Sequence, residues 1–178
     1  MLERAKSIWE VEAMKNKALV LHQRTGIDWR IFEKELYQHF GVNAVTYGKD
    51  GYRRTSNGVD LVNSICVLIK KHPKGNRLIC NDVQRRLTHE AHAKKRFAAD
   101  ECAAGMYKIV VPVLENDAIE GFVSACGRPF LSTDRIYTHY IHKTIDQDEE
   151  EIRKLLSTLV PINPRTIREL VAYITSYG

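Results

Sequence analysis

The sequence predicts an α+β fold: a PAS-like five-stranded antiparallel sheet with covering helices, an N-terminal helical leader and C-terminal helices. Three observations carry the prediction. The hydrophobic period switches between helical and strand-like along the chain. Three strand-like segments between Arg96 and Cys126 follow one another through short turns, which implies an antiparallel meander. Finally, 178 residues with 44% hydrophobic and 28% charged side chains make an ordinary globular domain, not a disordered, collagen-like or disulfide-framework chain.

Residues 3–24 read as an amphipathic leader helix, with Val11, Met14, Ala18 and Leu21 on one face and Gly26 ending it. Asp28 caps a second helix, whose stripe of Trp29, Phe32, Leu36 and Phe40 is closed by Gly41. The two apolar stripes exceed what one small sheet needs, so residues 3–40 are expected to pair two copies as a homodimer. Val42–Tyr47 is the first strand, and the turn Gly48-Lys49-Asp50-Gly51 leads to a second over Tyr52–Thr55. A helix from Asp60 carries Leu61, Ile65 and Leu68 and stops at His72-Pro73; a longer one spans about Asn76 to Lys94. Strands follow over Arg96–Asp100, Met106–Leu114 and Ala118–Cys126. Asp146 is expected to cap a helix through Leu159, and Pro164 to start the last. A hairpin, a helical excursion and a three-strand return place the helices over one face of the sheet, the arrangement of the PAS type. The division is a leader over 1–27 and a sensor core over 28–178.

The net charge is +5, yet Asp146, Asp148, Glu149, Glu150 and Glu151 sit in one stretch, so the remainder carries +10. Basic residues cluster at Arg53-Arg54, Lys70-Lys71, Arg85-Arg86 and Lys94-Lys95-Arg96. No helix-turn-helix, RNA-binding or zinc-finger signature accompanies them, so they read as a solvated surface rather than a nucleic-acid site. Apolar runs are too short to cross a bilayer and residues 1–25 lack a secretory segment, which places the protein in the cytoplasm, away from the membrane. No Gly-rich phosphate loop, nucleophile elbow or catalytic carboxylate pair points to an enzyme.

Cys66, Cys80, Cys102 and Cys126 are the chemically pointed residues. A reducing compartment argues against disulfides, and their separations contain no Cys-x2-Cys clip, so spacing alone favours independent buried thiols over a shared site. Elsewhere, His139 and His142 lie at helical spacing without a carboxylate and read as a solvated pair. Lys108 either points to solvent or offsets a thiolate or anionic ligand. Tyr107 faces the other side of the sheet, by strand alternation.

Several segments together carry a family likeness: Cys66-Val67-Leu68 with His72-Pro73, Cys80-Asn81-Asp82, Cys102-Ala103-Ala104-Gly105, Val111-Pro112-Val113, Glu120-Gly121, Cys126-Gly127 and the ending Val160-Pro161-Ile162. In these the chain resembles the PocR ligand-binding (sensory) domain over about residues 28–175. The resemblance implies a PAS-like sensor that binds a small molecule and passes its state to an output partner; an enteric member of the family senses a small diol. Ala103 stands where that member has His, and Lys108 where it has Asp. The stretch after Pro161 is too short for an output module, so the expectation is a free-standing sensor or a sensor cut from a longer protein.

With the resemblance in hand, the four cysteines are expected to converge on one cavity between the excursion helices and the sheet. Two readings stand: at least three of them hold a metal or cluster, or they line a ligand pocket as thiols. Soft sulfur ligands suit an iron-sulfur cluster or zinc, and sensing favours the cluster because zinc has no redox chemistry. The competing reading is a zinc-stabilised interaction domain without a sensed ligand. Cys66, Cys80, Cys102, Cys126 and Lys108 are therefore the candidate ligand-binding residues, and the four cysteines the candidate metal ligands.

Overall fold

The computed structural model describes residues 13–14, 19–22, 26–55, 63–130 and 135–177. Its elements are β1 (Leu21–His22), α1 (Trp29–Phe40), β2 (Asn43–Gly48), α2 (Ser64–Lys71), the single turn α3 (Pro73–Gly75), a π-helical segment (Asn76–Asn81), α4 (Asp82–Lys94), β3 (Ala98–Glu101), β4 (Met106–Glu115), β5 (Ala118–Pro129), α5 (Arg135–Ile145), α6 (Glu149–Ser157) and α7 (Pro164–Ser176). The α+β class and a five-stranded sheet are as expected; the membership and direction of the strands are not.

β4 and β5 form the centre of the sheet, and β2 pairs antiparallel with β5. The far edge of β4 is shared end to end by β3, antiparallel, and by β1, which pairs parallel with Val113 and Leu114. The sheet is therefore not purely antiparallel. Leu21, assigned to the leader helix from its spacing, is instead a strand residue with no exposed surface. Its partner is some ninety residues distant in sequence, and helical spacing in a short window carries no sign of such a pairing. The remainder of the expected leader, Val11 included, lies outside the described residues.

The expected strand over Tyr52–Thr55 does not form; a lone bridge joins Tyr47 to Arg53. Two backbone hydrogen bonds, Gly48 N–H to Tyr52 O and Arg54 N–H to Thr46 O, both at 2.8 Å, hold the segment beside β2, and side chains add to them. The Thr55 hydroxyl donates to the buried Glu33 carboxylate at 2.8 Å, and Arg54 donates to the Glu120 carbonyl at 2.5 Å. Glu33 also accepts from the Thr46 backbone N–H at 2.7 Å, so one carboxylate pins both arms of the turn to α1.

Helices cover both faces of the sheet, where one was expected. On the first face, Tyr107, Ile109, Val111 and Val113 of β4 and Val123 and Ala125 of β5 pack with Phe32 and Leu36 of α1 and with Ile167, Leu170, Val171 and Ile174 of α7. Fully burying each such side chain contributes roughly 1.5–3 kcal/mol. The aromatic stripe of α1 is thus spent inside its own chain: Phe32 stacks on Tyr177 with ring centroids 4.3 Å apart, and Phe40 meets Tyr173. Phe32 and Leu36 therefore have no surface left to offer a second copy, while Trp29 and Phe40 at the margins of the stripe are partly buried. Asp28 caps α1 as its sequence position suggests, accepting from Arg30 N–H at 2.9 Å, and Gly41 closes it at φ 61°.

The second face carries the helical excursion in two apolar groups. Met106 packs with Ile65, Ile69, Ile79, Ile141, Ile145, Ile152 and Leu156, whereas Val110 and Phe122 pack with Val83, Leu87 and Ala91. The long helix expected from Asn76 starts at Pro73 and includes the π-helical turn before α4. α5, which supplies Ile141 and Ile145, was not anticipated. α6 is capped by Asp148, accepting from Glu151 N–H at 2.9 Å, and not by Asp146, which adopts φ 54° in the preceding turn. Among the described residues no helix is long and apolar enough to cross a membrane.

Candidate functional site

Each cysteine reaches the second face from a different element. Cys66 lies in the first half of α2 and is buried; Cys80 sits in the π-helical segment, Cys102 in the tight turn between β3 and β4, and Cys126 near the end of β5, all three half-buried. Cys66, Cys80 and Cys102 pack in the same apolar group as Met106. Cys126 faces this side too. On β5, Ser124 donates to Gln84 of α4 at 2.9 Å while Ala125 packs in the opposite core, so the period of two returns Cys126 to the excursion side.

The four thiols are close enough to feel one another. Burial pushes the Cys66 thiol far up, and the neighbouring sulfurs of Cys126, Cys102 and Cys80 push it further, because one thiolate disfavours the next. Cys102 is raised to about 11, first by burial, although backbone N–H groups of Ala104 and Met106 pull the other way by bonding to its sulfur. The Ala104 N–H lies 3.4 Å from Cys102 Sγ. Cys80 is also raised by burial, against a downward pull from the ammonium groups of Lys70 and Lys108. Burial thus favours the protonated form of Cys66, Cys80 and Cys102, while nearby donors and cations favour the charged form at Cys80 and Cys102.

Local structure holds these positions. Asn63 caps α2 by accepting from Cys66 N–H at 2.7 Å, and its amide donates to the Gly127 carbonyl at 2.5 Å, tying the start of the Cys66 helix to the strand bearing Cys126. Opposite, the register of β4 against β5 slips between Tyr107 and Ile109, so that Cys126 and Gly127 together face Lys108. This is a β-bulge, a device that re-aims side chains beside sites. Gly127 sits in it at φ 112°, a conformation glycine takes without strain. The Cys102 turn is closed by Gly105 N–H donating to Cys102 O at 2.8 Å and Cys102 N–H to Met106 O at 2.9 Å. Tyr137 of α5 covers it and donates to Glu101.

Sequence reasoning therefore named the four cysteines and Lys108, and the structure places all five on the excursion side of the sheet. It missed Asn63, Gln84 and Ser124; the signal for Asn63 was its place as a helix cap three residues before Cys66. Lys108 is buried at 9% exposure rather than solvent-facing, while Tyr107 points to the other face and stacks on Phe130 at 5.2 Å. A cleft of about 380 Å³ opens beside Cys102, lined also by Leu78, Ile79, Arg86 and Tyr137. Another of about 520 Å³ reaches Asn63 and Gly127 from the side of Gly41 and Val160. Among the described residues no three His, Cys, Asp or Glu side chains form a group arranged to hold a metal ion. His139 bonds Glu149 at 2.9 Å and His142 the Gln147 carbonyl at 2.7 Å. His72, read as a helix-end residue, accepts from Gly75 N–H at 3.3 Å.

These features define an α+β domain with four cysteines and a buried lysine on the excursion side of its sheet. A model of the family described as "Sensory domain found in PocR" matches residues 28–177, and the chain belongs to that family. A sensory, ligand-binding role with signalling partners follows from membership. Comparison with curated proteins and with solved structures gave no match.

Proposed function

We propose that this sensory domain reads a redox state through an iron-sulfur cluster held by at least three of Cys66, Cys80, Cys102 and Cys126. The observation that carries the reading is that cysteines from four separate elements lie on one side of the sheet, three of them in one apolar group. A single zinc ion draws its thiolates tightly around itself, and among the described residues no such preformed group supports it. A cluster holds its thiolates further apart, because iron and sulfide lie between them. The backbone N–H groups at Cys102 and the two lysines near Cys80 suit anionic sulfur and are the kind of groups that tune a cluster's potential.

Sensing follows from where the ligands sit. Cys102 and Cys126 are anchored to the sheet, whereas Cys66 and Cys80 ride on the excursion, so gain or loss of the cluster would tie or free those helices for an output partner. We also read the sheet as PAS-like: its order runs β2, β5, β4, β3, and the Tyr47–Arg53 bridge takes the place of a further edge strand beside β2. The test is Cys80→Ser in anaerobically purified protein. It should bleach the brown colour and open Ser64–Lys94 to protease; a variant as coloured and as resistant as the wild type would remove Cys80 from the site.

A further inference from the structure

Taking the four-thiol region as the sensing site, as proposed above, we infer that Lys108 is its cationic half, held without a counterion among the described residues so that its ammonium can meet a negatively charged occupant. Lys108 is more than nine-tenths buried in the middle of β4, between Met106 in one apolar group and Val110 in the other. It makes no hydrogen bond or ion pair among the described residues. Its cross-strand neighbour Asp100, the obvious partner, is committed elsewhere: one carboxylate oxygen accepts from Arg86 at 2.9 Å and the other from Glu101 N–H at 2.8 Å. The bulge sets Cys126 and Gly127 directly opposite Lys108, and the ammonium acts on the Cys80 sulfur.

A buried cation with no partner costs stability, and folds that need only packing place an apolar side chain at such a position. Asp100, the carboxylate paired across from it in the ladder, is already engaged and does not balance it. Thiolates around a cluster can, and so can the carboxylate of an organic ligand; the shared chemistry is an anion against Lys108.

The test uses the full chain as wild type, Lys108→Met and Lys108→Arg. In iron-free protein, Lys108→Met should raise the melting temperature by a few degrees while Lys108→Arg does not, since methionine fills the space without the charge. A fall, or no change, would mean that the ammonium serves the fold and would overturn the assignment. In anaerobic protein reconstituted with iron and sulfide, Lys108→Met should make the midpoint potential more negative, because a nearby cation favours the added electron, and Lys108→Arg should restore it. A potential unchanged by Lys108→Met would also overturn it. If the wild type binds no iron, the cluster reading fails by itself, and Lys108 is judged on the iron-free melting result, with a carboxylate ligand as the remaining anion.

Discussion

Asn63 links the two halves of the thiol site: its oxygen accepts from the N–H of Cys66 and its amide donates to the carbonyl of Gly127, next to Cys126. Asn63→Ala removes a helix cap and leaves a part-buried carbonyl unpaired, at a cost of roughly 1–3 kcal/mol. Asn63→Asp keeps the cap and loses only the tie to the sheet. Hydrogen exchange of the Ser64–Lys71 amides should therefore rise strongly in the alanine variant and moderately in the aspartate variant; equal exchange in all three proteins would deny the link.

Gly105 adopts φ 78°, and a Cβ added there would lie 2.7 Å from the Tyr137 ring. Gly105→Ala combines backbone strain with this clash, and should cost more than about 1 kcal/mol in urea unfolding. It should also displace Tyr137 from the Cys102 turn. Restoration of stability in Gly105→Ala/Tyr137→Ala would identify the clash as the larger part.

Arg128 donates to three carbonyls, those of Phe40, Val160 and Pro161, at 2.8, 3.1 and 2.6 Å. A lysine cannot fork to three separate oxygens, so Arg128→Lys should lose about 1–2 kcal/mol. Unfolding curves that coincide with the wild type would show the staple to be dispensable.

The raised thiols make the iron-free protein sensitive to alkali. Because the fold favours the protonated form of Cys102, its contribution is complete below the ordinary value of 9.0 and is lost as pH rises through about 11. Cys66 shifts in the same direction, so it too destabilises the fold only as pH climbs. Wild type should lose roughly 2–3 kcal/mol more than Cys102→Ala between about pH 8 and about pH 11. Parallel pH profiles for the two proteins would contradict the account.

Much of this was legible before the structure, for local reasons. Asp28 and Gly41 mark the ends of α1 by capping chemistry, and the turn residues between Met106 and Cys126 mark the central hairpin. What escaped depends on distance. Leu21 joins the sheet through Val113, and Thr55 leaves strand geometry for Glu33, contacts that no short window contains. Lys108 was visible as a residue but not as a buried one, since its burial needs both the bulge at Cys126-Gly127 and the helices above it. The convergence of the cysteines came from likeness to a family; their spacing alone pointed to separate thiols.

The most direct measurement is the content of iron and acid-labile sulfide, with the absorption spectrum, of the chain purified without oxygen. A four-thiol sensor of the proposed kind yields a brown protein with iron and sulfide in comparable amounts, lost together on exposure to air. A colourless protein free of both metal and sulfide, with its four thiols fully titratable after unfolding, would contradict it.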